Sequence, residues 1–144
     1  MIYKILKKKY PSKTNIGSKT NIACKLGTDS NVYTINIIYN FNTLESQKIG
    51  LMNIKTPLPY NTGALFNFYK YIYIRFYMKN TVIPLDIIFL DENYKILCIF
   101  ENTTPLSVKP LSCRCKIFYA IETNARYVSI NNIKVGDFLY PITN

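Results

Sequence analysis

The sequence predicts an all-β domain, or a β-rich one with a single short helix, folded as a small barrel or sandwich with long loops. Three observations carry that expectation. Short apolar runs alternate with period two at several places after residue 31, Asn, Asp, Gly and Pro punctuate them, and only one stretch carries a helix-start signal. The chain of 144 residues is of ordinary single-domain size, and an apolar fraction of 49% suits a globular protein rather than a disordered one. Ile, Tyr, Phe, Asn and Lys are abundant, a bias that AT-rich coding would also give, so pattern outweighs amino-acid preference here.

Residues 1–31 read as a basic polar arm with one short strand near residues 22–26, and residues 32–144 as a single β-rich domain. Residues 32–41 alternate as a half-buried strand, with Ile35, Ile37, Tyr39 and Phe41 on one face. Asn42 followed three residues later by Glu45 predicts a capping box and a short helix that Gly50 stops. Pro57 and Pro59 confine residues 53–62 to a loop, and Asn61-Thr62-Gly63 reads as a turn. A short strand is expected at residues 64–68 and a second at 69–79, where Ile72, Ile74, Phe76 and Met78 oppose Tyr71, Tyr73, Arg75, Tyr77 and Lys79. Residues 82–90 form a nearly continuous apolar strand in which Pro84 marks a start, a bulge or an edge. A hairpin through residues 91–94 leads into a strand at 95–100. A long loop at 103–113, a strand at 116–123, an irregular stretch with one helical turn at 124–134 and a last strand at 138–141 complete the domain, giving about seven strands.

The formal net charge is +10, but seven lysines and no acid in residues 1–25 account for +7 and the rest of the chain for only +3. Such an arm would make a weak, salt-sensitive contact with nucleic acid or an anionic surface. The chain has no run of 18 apolar residues and no apolar signal core, so this sequence is expected in the cytoplasm, or in the periplasm or outside the cell were a signal segment removed. Without histidine, Ser-His-Asp and Cys-His mechanisms and His-based zinc sites are excluded, and no phosphate-binding glycine loop is present. No metal or cofactor is expected. The four cysteines, Cys24, Cys98, Cys113 and Cys115, are read as reduced thiols, with a disulfide from Cys98 or Cys24 to one of the other two as the alternative.

The series Gly50-Leu51-Met52, Leu58-Pro59, Gly63-Ala64-Leu65-Phe66, Tyr77-Met78-Lys79-Asn80-Thr81 and Ile83-Pro84-Leu85-Asp86 continues through Ala120-Ile121-Glu122 and Val135-Gly136-Asp137. Over about 110 residues, from about Ile35 onward, it resembles the uncharacterised family domain of unknown function 192, DUF192. The resemblance implies a small β barrel or sandwich of unassigned function, often on proteins exported by bacteria and also found in archaea. The family usually has Met where this chain has Ala64, Trp at Tyr77, an Arg within the segment Asn53-Ile54-Lys55 and Gly at Arg126.

Asp86 is the most informative single residue, because a bare carboxylate between Leu85 and Ile87 would be costly to bury. Its structural reading is that it satisfies the backbone of the Asn80-Thr81 turn. Its functional reading sets Lys79, Asn80, Thr81, Asp86 and Glu122 around a groove faced by Tyr73 and Tyr77. The leading functional expectation is a noncatalytic binding module that takes a small molecule, glycan or peptide in that groove. One alternative is a structural or protein/nucleic-acid interaction domain, for which Tyr73, Arg75, Tyr77 and Lys79 form an aromatic and basic platform. The other is a hydrolase with Asp86 and Glu122 as an acid and base about 5–9 Å apart. Gly136 and Asp137 read as a turn, with Gly at a special backbone angle and Asp bonding nearby amides.

Overall fold

A computed structural model describes residues 31–143. The basic arm, its expected strand and Cys24 lie outside them. The elements are β1 (Val32–Phe41), α1 (Leu44–Ile49), β2 (Thr62–Ile72), β3 (Leu85–Leu90), β4 (Ile96–Phe100), β5 (Ile117–Asn124), α2 (Tyr127–Ile130) and β6 (Phe138–Ile142). Six strands form one sheet in the order β4-β3-β5-β2-β1-β6. Strand β1 runs parallel to both β2 and β6, while β2, β5, β3 and β4 pair antiparallel.

The two outer strands of that order meet. Lys95 and Phe138 form a bridge, the Ile96 amide donates to the Asp137 carbonyl at 2.8 Å, and the Leu139 amide donates to the Tyr94 carbonyl at 3.1 Å. The sheet thereby curls into a small barrel, as the alternating pattern predicts. Every strand sends at least one fully buried side chain into the same interior core, among them Ile35, Leu65, Ile88, Ile96, Ile121 and Leu139. The opposite face of the sheet is also covered. Ala64, Phe66, Phe68, Leu85, Ile87, Phe89 and Ala120 bury against Leu51, Leu58, Phe76, Met78 and Ile83 from the connecting segments. All of β3 is buried, which is why its sequence runs apolar without alternation.

The helix begins one residue later than the sequence suggests. Thr43 is the cap, and its hydroxyl accepts from the Ser46 amide at 3.1 Å while the Ser46 hydroxyl accepts from the Thr43 amide at 3.1 Å. Gly50, at φ 51°, ends it as expected. The two strands expected over 64–68 and 69–79 are instead one strand, β2, that ends at Ile72. Residues 73–79 leave the sheet and keep only a bridge from Phe76 to Leu111, yet their alternation still sorts them. Phe76 and Met78 are buried, and Tyr73, Arg75, Tyr77 and Lys79 are exposed. An extended backbone alternates its side chains whether or not it is hydrogen-bonded into a ladder. Pro84 stands immediately before β3, where its missing amide costs no ladder bond.

The reading of all cysteines as reduced is corrected at two of them. Cys98 on β4 and Cys113 form a disulfide across an α-carbon separation of 6.1 Å, and Cys115 is free and exposed. The bond ties the loop over 101–116 to the outer strand β4. Spacing of 15 residues gives no local signal for such a pair, because the loop must first fold back. Closing a loop of this length removes about 3 kcal/mol of unfolded-chain entropy. Reduction, or the double variant Cys98→Ser with Cys113→Ser, is therefore expected to lower the unfolding free energy in urea by about that amount. Cys115→Ser should leave the urea midpoint where it is.

Candidate functional site

The register of β3 against β5 sets the geometry of both sequence-selected carboxylates. Asp86 lies opposite Thr123, and Ile87 lies opposite Glu122. Directly paired residues share a face and neighbours in sequence do not, so Asp86 faces the barrel interior and Glu122 the outer layer. The sheet stands between them. They therefore do not form the acid and base pair that the hydrolase alternative requires.

Asp86 is fully buried and satisfied by backbone. One carboxylate oxygen accepts from the Asn102 amide at 2.8 Å and the other from the Val128 amide at 2.9 Å. Its partners are thus the loop after β4 and the first turn of α2, not the Asn80-Thr81 turn. That turn has its own supports: Asn80 is left-handed at φ 56° and its carbonyl accepts from the Asn53 amide, while the Thr81 amide donates to Met78 and the Thr81 carbonyl accepts from the Leu106 amide. Next to Asp86, the Thr103 hydroxyl donates to the Leu85 carbonyl at 2.9 Å. Arg126 is left-handed, at φ 70° and ψ 0°, a conformation that glycine adopts at less cost.

Glu122 is 7% exposed and sits on the floor of a groove of about 310 Å³. Its walls come from α1 (Leu44, Gln47, Lys48, Ile49), the turn after it (Gly50, Leu51, Met52), β2 (Phe66, Phe68) and the segment Ile74–Tyr77, with Thr81. Gln47 positions the helix by donating through Nε2 to the Asn67 carbonyl at 2.8 Å and the Phe41 carbonyl at 3.3 Å. The far side of the loop is held by Asn124, whose side chain accepts from the Leu58 amide at 2.8 Å and donates to the Leu58 carbonyl at 2.7 Å. The aromatic walls are mutually packed: Phe66 and Phe76 have ring centroids 4.9 Å apart, and Phe76 and Phe89 5.1 Å. No ion pair or hydrogen bond engages the Glu122 carboxyl among the described residues, and burial alone pushes its pKa up to about 8.

Of the residues singled out in the sequence for a site, Arg75, Tyr77, Thr81 and Glu122 line this groove. Tyr73, Lys79 and Asn80 are exposed away from its lining, and Asp86 is inside the barrel. Gly136 and Asp137 form the expected turn. Gly136 has φ 94°, and the Asp137 carboxylate accepts from the Lys134 and Asn31 amides, each at 2.9 Å. The groove residues that the sequence reading missed are Gln47, Phe66, Phe68 and Phe76. Only the burial side of Phe76 could have been read, from its alternation with Tyr77. Among the described residues, no group of three or more His, Cys, Asp or Glu converges to hold a metal, and no helix is long and apolar enough to cross a membrane.

Residues 26–140 match the profile of DUF192, described as uncharacterized ACR. Two solved structures are similar. A candidate transcription regulator from Sinorhizobium meliloti has 30% identity and a TM-score of 0.65, with 67% of this chain and 74% of that one covered. A protein of unknown function from Novosphingobium aromaticivorans has 32% identity and a TM-score of 0.64, with 67% and 69% covered. No curated protein matches the chain.

The two carboxylates should answer to substitution in opposite ways. Asp86→Ala leaves two buried amides without acceptors and is expected to cost about 3–5 kcal/mol in urea denaturation, with Asp86→Asn costing about 2–3 kcal/mol because one acceptor survives. Glu122 has a folded-state pKa above its unfolded value of 4.5, so between pH 4.5 and about 8 the folded chain holds more protons than the unfolded one. Stability is then lost as pH rises through that window, by on the order of 4 kcal/mol. Unfolding midpoints measured at pH 4.5, 6 and 8 should show this decline in the wild type and much less of it in Glu122→Gln, which should be the more stable protein at pH 8.

Proposed function

Because the chain belongs to the DUF192 family and two of its faces carry partner-accessible chemistry, we propose that it is a noncatalytic interaction domain that holds single-stranded nucleic acid on an exposed strip of tyrosines and cations. The observation that carries this reading is the segment from Tyr71 to Lys79. Tyr71, Tyr73 and Tyr77 are 43%, 70% and 46% exposed, Arg75 and Lys79 stand exposed between and beyond them, and Lys116 lies 5.7 Å over the Tyr73 ring. Stacked bases need aromatic faces open to solvent, and a phosphate backbone needs cations beside them. Tyr73 and Lys79 stand clear of the groove, Arg75 and Tyr77 also line it, and together they supply both. The Sinorhizobium meliloti relative, described as a candidate transcription regulator, supports the same class of role.

A ligand-binding module is the second reading, favoured by the groove under α1, and it is compatible with the first because the two sites share only Tyr77 and Arg75.

Fluorescence anisotropy with a labelled single-stranded oligonucleotide tests the strip. Binding is expected at low salt and should weaken as salt rises, since neutralising each phosphate on a single strand contributes a slope of about −0.7. Tyr73→Ala should reduce affinity roughly tenfold, as loss of about 1–3 kcal/mol of stacking requires. Binding that ignores Tyr73→Ala and disappears when residues 1–13 are removed would assign the contact to the basic arm and overturn the reading.

A further inference from the structure

The groove holds a single carboxyl, Glu122, with phenylalanine rings beside it and Lys48 and Arg75 elsewhere in its lining, and the carboxyl with its rings is the part that suits an ammonium. Glu122 is more than nine-tenths buried, opens into the groove and has no partner within the described residues. Phe66, Phe68 and Phe76 present the aromatic surface beside it. Ring faces attract an ammonium, most strongly once water is excluded. At the rim, Leu44 and Ile49 of α1 are 71% and 54% exposed, although both are large and apolar, so the mouth of the groove offers uncovered apolar surface to a bound molecule.

We propose that this groove binds a small primary amine with a compact apolar or aromatic body, the ammonium seated on the Glu122 carboxylate and the body against the phenylalanines, Leu44 and Ile49. The volume of about 310 Å³ matches a ligand of that size rather than a polymer. The charged and titratable groups that also line the groove are Lys48 from α1 and Arg75 and Tyr77 from the segment after β2. None of them compensates Glu122, whose raised pKa has burial as its only cause. The carboxyl proton leaves to solvent as the charged amine enters, so an uncompensated buried acid becomes one half of an ion pair. That exchanges a buried neutral acid for a carboxylate whose charge is offset by the ammonium.

The test compares three molecules of one shape on the wild-type protein by amide-resolved NMR at pH 7: 2-phenylethylamine, 2-phenylethanol and 3-phenylpropionate. The amine should shift the amide resonances of Leu51, Phe66, Phe76 and Glu122 and bind at least tenfold more tightly than the alcohol. The propionate should not saturate. In Glu122→Gln the affinity for the amine should fall to that for the alcohol, with the alcohol's own affinity unchanged. Equal binding of amine and alcohol, saturable binding of the propionate, absence of amine binding, or full amine affinity in Glu122→Gln would each overturn the assignment. The wild-type comparison decides the matter by itself should the variant fail to fold. Oligonucleotide binding on the tyrosine strip is read in a separate assay, so either proposal can fail without the other.

Discussion

The carboxylate of Asp86 is the interaction on which the closed end of the barrel depends. It is a full charge buried on an interior strand, tolerable only because two backbone amides from distant segments donate to its two oxygens. Those amides belong to the loop that follows β4 and to the first turn of α2, 16 and 42 residues away. Arg126 takes a left-handed conformation two residues before Val128, and Asn102 takes one at φ 50° while donating to the other oxygen. Two strained backbones therefore converge on one acceptor, and the charge-assisted bonds offset the cost of both.

The sidedness of the sheet then separates architecture from recognition. One residue further along β3 the side chains face the outer layer, where the neighbouring β5 carboxyl finds no such amides. Asp86 and Glu122 are similar acids on adjacent strands, yet one is consumed by the fold and the other is left exposed to a groove. The helix that overhangs this groove contributes no buried residue of its own and is fixed through Gln47 and the Thr43-Ser46 cap. A wall held by polar anchors instead of by core packing leaves its apolar side chains available at the mouth.

Much of the barrel was legible in the sequence because period-two alternation is a local property. It placed β1, β3, β4, β5 and β6 to within a few residues and sorted residues 73–79 correctly by face. It could not reveal that those residues leave the ladder after Ile72, since extended chain alternates in either setting. Nor could it reveal that β1 lies parallel between β2 and β6, a long-range pairing without local signature. The burial of Asp86 was legible from its apolar neighbours, but the identity of its donors was not, because backbone amides leave no trace in residue type. The same limit hid the groove: Gln47, Phe66 and Phe76 converge only once the chain has folded, and each reads in sequence as an ordinary surface or core residue.

The position of β6 has a consequence for the order in which the molecule can be made. The last strand pairs with the first described one, Val32 opposite Phe138, and Asp137 receives the Asn31 amide across 106 residues. During synthesis β1 can meet β2 early, but its second neighbour emerges only after β2, β3, β4, β5 and α2 have been made. Until then β1 presents an unpaired edge and the ring of interior residues lacks Leu139. A nascent chain thus remains an open, edge-exposed sheet until Phe138–Ile142 leave the ribosome, and the barrel closes only once β6 has emerged.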